Sequence, residues 1–219
     1  QNFRTQHTKR NTMTKTFTEE LRAAAGDQWD RVINHRFTTE LARGDIDRNV
    51  LKKYLIQDHR FLDAFVVLLA SAIAKARDLD DRIPGCQFLG LITGKENTYF
   101  ERCFVELGCG KEERAKIPDE DVTKGFANLM REVSYKGTLG EILSVLVVAE
   151  WSYQSWGEKV LPITNRDDFL TYEWVDLHSG DYFRDVVSYL RGLLDKEGTL
   201  IDDEGKEKCK AAFLRAIQL

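Results

Sequence analysis

Apolar residues along the chain recur at helical spacing. Between residues 51 and 69 one stripe runs Leu51, Tyr54, Leu55, Asp58, Leu62, Phe65, Val66, Leu69. Positions three and four apart share one face of an α-helix, so this stripe predicts a helix with one buried side. Extending the reading predicts eight helices. The first covers about Phe17 to His35. The second follows the capping oxygens of Asp45 and Asp47 and reaches about Arg77. The third spans about Gly85 to Leu107 and stops at Gly108 to Gly110. The fourth covers about Asp119 to Tyr135, and the fifth starts near Gly137 and Gly140 and reaches about Val160. Three more follow at about Asp167–Leu177, Gly180–Lys196 and Asp203–Leu219. Pro84, Pro118 and Pro162 are expected at helix boundaries, because an interior proline costs ~3 kcal/mol. No stretch alternates as a strand would. The pattern predicts an all-α, single-domain helical bundle.

Two polar residues interrupt the apolar stripes. Asp58 takes a core-facing slot in the second helix, and a buried carboxylate is costly unless it is paired. Two readings stand: an internal partner such as an Arg or a tyrosine hydroxyl, or an acid facing a cavity. In the fifth helix one stripe runs Leu139, Ile142, Leu143, Leu146, Glu150, Tyr153. A rival stripe runs Val145, Ala149, Tyr153, Trp156, and spacing does not choose between them. Glu150-Trp151-Ser152-Tyr153 puts an acid, an indole and a phenol within one turn. That set suits a flat polar heteroaromatic ligand; an aromatic core seam explains it as well. His178 ends the sixth helix, where a capping role and an acid–base role are both open.

Composition narrows the function classes. The 219 residues are 42% hydrophobic and 31% charged, with a formal charge of -4, which allows a packed core and gives no electrostatic case for nucleic acid. The apolar runs, such as Phe65 to Ala74, are far shorter than the ~20 residues of a membrane span. Gln1 to Thr12 is polar and basic, and residues 1–16 are expected to be a tail before a domain over residues 17–219. The cysteines Cys86, Cys103, Cys109 and Cys209 form no CxxC pair and no His cluster joins them, so no metal site is expected. With no secretory signal in view, free thiols in a cytoplasmic protein are the default. No cofactor is expected.

The order of motifs then carries a resemblance. Leu55-Ile56-Gln57-Asp58-His59-Arg60-Phe61-Leu62 resembles the "LxQDxxYL" segment of the TenA (thiaminase-II-like) family. Glu141-Ile142-Leu143, Glu150-Trp151-Ser152-Tyr153 and Gly157-Glu158-Lys159 resemble its long fifth helix. Ser179-Gly180-Asp181-Tyr182-Phe183 resembles its "GGDWF"-like stretch. The resemblance implies a haem-oxygenase-like bundle without haem, assembled as a homodimer or homotetramer. It implies a hydrolase of thiamin salvage that turns 4-amino-5-aminomethyl-2-methylpyrimidine, or its N-formyl derivative, into the hydroxymethyl pyrimidine. By position, Asp58 matches the aspartate that holds the pyrimidine's amino edge. Phe61 and Phe126 stand where tyrosines are common, Tyr153 matches a pocket tyrosine, and His178 replaces another. Trp151 joins these as a candidate contact. Ala149 occupies the place of the nucleophilic cysteine, a pattern similar to the cysteine-less E-type branch. Thiolate catalysis is excluded at Ala149. Glu150, beside Trp151, is the expected proton-transfer group and Asp58 the orienting acid. The resemblance places a further acid just past Leu219. Two rival classes stand beside this reading: a non-catalytic pyrimidine or thiamin binder, and a haem enzyme with His35 as axial ligand.

Overall fold

A computed structural model describes residues 15–219. Residues 1–14, and with them most of the expected tail, lie outside the described residues. Thr16, assigned to that tail, instead caps the first helix. Its side chain accepts from the Glu19 N–H, while Glu19 accepts from the Thr16 N–H at 3.0 Å. This reciprocal box satisfies two N–H groups that a helix start leaves unpaired.

The described residues form helices and no strand. Where eight were expected, the described residues form twelve α-helices: two predicted runs divide, one at Gly26 and one at a π-helical turn, and two short helices lie between the predicted runs. The first run breaks at Gly26, whose φ of 53° few side chains tolerate, into α1 (Phe17–Ala25) and α2 (Asp27–Ile33). A further helix, α3 (Arg36–Arg43), ends in a left-handed cap at Gly44 (φ 75°). His35 is the exposed N-cap of α3, and its Nδ1 accepts from the Phe37 N–H at 3.2 Å. It is therefore not the helix-end ligand that the haem reading needed. The long α4 (Arg48–Lys75) is capped by Asp47.

The third run begins earlier than expected, at the Asp78 cap, as α5 (Leu79–Leu91). Pro84 lies inside it rather than at a boundary. Its missing N–H deprives only the Asp80 carbonyl, which sits on an exposed turn, so the break is tolerated. A π-helical turn over Ile92–Glu96 then leads into α6 (Asn97–Glu106). The short α7 (Lys111–Lys116) was not expected. α8 (Asp121–Lys136) and α9 (Leu139–Val160) follow, α9 opening with a Thr138–Glu141 capping box. A 3-10 turn at Leu161–Ile163 carries Pro162. α10 (Phe169–Leu177), α11 (Asp181–Leu200) and α12 (Asp203–Gln218) complete the chain.

α9 is the axle of the bundle. Residues Ile142 to Ser152 are all buried, so the helix has no solvent face over three turns. α4, α8, α11 and α12 pack around it. This explains why two stripes competed in the sequence: both are inside. The α10 end comes so close to α9 that a Cβ on Gly157 would sit 2.5 Å from the His178 carbonyl oxygen. Only glycine allows that approach, which holds His178 against the wall of α9. No described helix is long and apolar enough to cross a membrane.

Candidate functional site

Two cavities meet at the centre of the bundle. The outer one is about 390 Å³. α4 supplies Tyr54, Gln57, Asp58 and Phe61 to it. α8 supplies Val122, Thr123 and Phe126, and α9 supplies Val148, Ala149, Ser152 and Tyr153. Ala216, Ile217 and Leu219 close it from the end of α12. The inner one is only about 20 Å³ and holds Glu96, Glu150, Trp174 and His178. Asp58, Phe61, Ala149 and Tyr153 line both, so these four form the neck between them.

The outer walls are aromatic. Phe61 and Phe126 pack with ring centres 5.0 Å apart, and Phe61 stacks on Phe65 at 5.6 Å. Across the neck a hydrogen-bond chain fixes the phenols. The Trp174 indole N–H donates to the Tyr54 hydroxyl at 3.2 Å, and the Tyr54 and Tyr153 hydroxyls lie 2.8 Å apart. His178 sits under Tyr153 with ring centres 4.6 Å apart, and its Nδ1 is 2.8 Å from the Trp174 carbonyl. A carbonyl only accepts, so Nδ1 carries the proton and donates. Nε2 is then the acceptor of a neutral ring. Burial drives the His178 pKa down to about 4, which keeps it neutral near pH 7.

Three carboxyl groups converge here, and neither cavity is lined by Lys or Arg. Glu150 is 8% exposed, and its carboxyl has no hydrogen-bond or ion-pair partner among the described residues. Burial raises its pKa well above the usual range, and repulsion from Glu96 and Asp58 adds to the rise. Burial, with help from Asp58, also lifts Glu96 to about 8. Burial lifts Asp58 to about 7, with Tyr54 pulling the other way. Asp58 Oδ2 is buried without a partner. Three like charges in a low-dielectric site do not ionise together, so near neutral pH the cluster keeps protons that it can give away.

A stability test follows. The ordinary carboxyl pKa is near 4, so between that range and about pH 8 the folded chain holds protons that the unfolded chain has lost. Stability therefore falls as pH rises. His178 works oppositely between about 4 and 6.5, where the unfolded chain binds the extra proton. From pH 6.5 to 8 the acids act alone. Unfolding free energy, measured in urea, is expected to drop by about 2–4 kcal/mol over that window. Glu96→Gln should flatten the drop. An unaltered pH profile in that variant would show that Glu96 ionises normally.

Of the residues singled out in the sequence, Asp58, Phe61, Phe126, Tyr153, His178 and Glu150 all stand on the walls of these two cavities. Trp151 does not, which corrects the expectation for it. Adjacent helical residues point about 100° apart, and Trp151 faces a separate cleft. There its ring lies 5.0 Å from that of Trp29 and 3.7 Å beneath the Arg191 guanidinium. The raised pKa of Glu150 thus comes from burial and from the other two acids, not from the neighbouring indole. Glu96, Tyr54 and Trp174 were missed as site residues. The signal for Glu96 was present: it falls on the stripe Phe88, Ile92, Glu96, Tyr99, Cys103, an acid in a core slot like Asp58.

Comparison with known proteins follows the same lines. A sequence profile of the TENA/THI-4/PQQC family matches residues 22–219. The chain is similar to an aminopyrimidine aminohydrolase of Halalkalibacterium halodurans, 24% identical over 93% of this chain and 92% of that protein. It is similar to another of that name from Bacillus subtilis, 26% identical over 90% of this chain and 84% of that one. Among solved structures, a TenA homologue from Pyrococcus furiosus superposes with a TM-score of 0.81 at 23% identity, covering 92% of this chain and 96% of that one. That likeness shows the fold to be shared. With nearly the whole described chain matched by the profile, the protein belongs to the TENA/THI-4/PQQC family.

Proposed function

We propose that this chain is an aminopyrimidine aminohydrolase of thiamin salvage that works without a cysteine nucleophile, as in the E-type branch. The single observation that carries this reading is a cluster of three carboxyl groups, the buried Glu150 and the half-buried Asp58 and Glu96, opening onto an aromatic cavity of about 390 Å³. The similarity to curated aminopyrimidine aminohydrolases over most of the chain supports it.

In this reading the pyrimidine lies in the outer cavity against Phe61, Phe126 and Tyr153. Asp58 at the neck accepts from the ring's amino edge, and the aminomethyl arm points inward. Water forms a C–O bond at the exocyclic methylene carbon while the C–N bond breaks. Glu150 in its carboxyl form gives its proton to the departing nitrogen, and as carboxylate takes one from the water. One water is consumed, and the products are the hydroxymethyl pyrimidine and ammonia. A proton held near neutral pH is what such a step requires. Ala149 supplies space rather than a thiol.

The test is incubation with 4-amino-5-aminomethyl-2-methylpyrimidine and with its N-formyl form, followed by mass-detected chromatography. Hydroxymethyl pyrimidine is expected, and its formation should fail in Asp58→Ala. No product from either compound, with binding still measurable by calorimetry, would replace the enzyme with a pyrimidine-binding protein. The alanine at position 149 favours that alternative.

A further inference from the structure

We propose that the inner chamber beneath Asp58 is a binding subsite for a small ammonium-type cation, received by Glu96 and Glu150. It deepens the proposed reaction by giving the departing nitrogen a place: the released ammonia takes a proton from the Glu96 carboxyl and is held as ammonium beside the resulting carboxylate. It rests on that reading for that role alone.

Size comes first. About 20 Å³ holds about one water-sized species, in a recess that opens through the neck onto the outer cavity. An ammonium ion is of that size, and the outer cavity of about 390 Å³ is the one with room for a pyrimidine ring. Polarity comes second. Once ionised, the chamber's carboxyl groups offer only acceptors, and Nε2 of the neutral His178 ring is an acceptor too. Glu96 and Glu150 have no hydrogen-bond partner among the described residues, and Asp58 Oδ2 is likewise unpartnered. The His178 ring spends its Nδ1 proton on the Trp174 carbonyl, and Trp174 spends its N–H on Tyr54. The occupant that completes this set must donate several hydrogen bonds. Water donates two; ammonium donates four and brings the missing positive charge.

The walls agree. Phe65, Phe88, Tyr153 and Trp174 surround the chamber, and aromatic faces attract cations while no Lys or Arg competes. The chain supplies Glu96 through a local device. The π-helical turn Ile92–Glu96 ends on this residue, and such turns often mark functional positions.

The groups facing the chamber are Asp58, Glu96, Glu150, Tyr153 and His178, with Tyr54 behind the neck. A bound cation favours the ionised acids, and the phenols and His178 stay neutral from pH 6 to 8. Ammonium should therefore bind about tenfold more tightly at pH 8 than at pH 6.

Thermal unfolding in ammonium chloride, sodium chloride and tetramethylammonium chloride, at equal ionic strength, tests this. At tenfold above its Kd, ammonium should raise Tm by on the order of 3–6 °C over the other salts. The rise should vanish in Glu96→Gln and Glu150→Gln, and Glu96→Asp, which keeps the charge, should retain part of it. Equal Tm in all three salts would overturn the proposal, as would an ammonium effect that survives both glutamine variants. Pyrimidine turnover without an ammonium effect would sink the subsite and leave the hydrolase standing. An ammonium effect without turnover would support the subsite and sink the hydrolase.

Discussion

Glu150→Gln is expected to lower kcat for the aminomethyl pyrimidine by about 10²–10⁴-fold, the usual worth of one acid–base group. Glutamine matches glutamate in shape, so the packing around α9 is kept. Glu150 makes no hydrogen bond or ion pair that the change would break, and it is 8% exposed. What disappears is the proton and the ability to ionise beside Glu96 and Asp58. KM should move little, because Asp58 and the aromatic walls hold the ring. Fold stability should hold or rise, since a neutral amide is spared the cost of keeping a buried carboxyl protonated where the unfolded chain would ionise it. Steady-state kinetics beside a urea melt separate these outcomes. A kcat within a factor of about three of wild type would remove Glu150 from the chemistry. A fall in kcat matched by a collapse in stability would mean the swap damaged the fold rather than the step.

Trp174→Ala is expected to cost about 3–5 kcal/mol of stability, the range for removing a large buried aromatic. Trp174 is 1% exposed and stacks on Tyr99 at 5.4 Å. It also meets Phe100 at 5.3 Å and His178 at 4.2 Å. Its N–H is the donor that anchors the Tyr54–Tyr153 pair. Truncation therefore opens a cavity beneath the site and frees the phenols together. Trp174→Phe separates the two effects. It keeps most of the apolar contact and loses the N–H, a hydrogen bond worth about 0.5–1.5 kcal/mol. The phenylalanine variant should stay folded near wild-type stability while its KM rises, because the neck is no longer fixed. A Trp174→Ala protein less than about 1 kcal/mol weaker than wild type would show that the site collapses to fill the hole.

The sequence determined the helical class, because the 3.6-residue period is written in the order of apolar side chains. It also exposed Asp58, since an acid on an apolar stripe contradicts the stripe. The capping residue Asp47 is equally local and was readable as such. The helix count was not readable. Gly26 splits a run only because its φ of 53° is imposed there, and Pro84 is accepted inside α5 only because its turn faces solvent.

The site was divided in the same way. Periodicity left Ala149 and Glu150 as rivals, since a helix buried on every side has no polar face to mark its orientation. Tertiary packing removed the choice: both residues touch the inner cavity, whose other walls come from α4, α5, the π-helical turn and α10. Trp151 shared a turn with Glu150 in sequence, yet the helical rotation sends it to another cleft, under Arg191. The meeting of Asp58, Glu96 and Glu150 joins three helical segments far apart in the chain. No local pattern encodes that meeting, because the burial that holds their protons, and the repulsion that adds to it at Glu96 and Glu150, exist only once the fold has brought the three together.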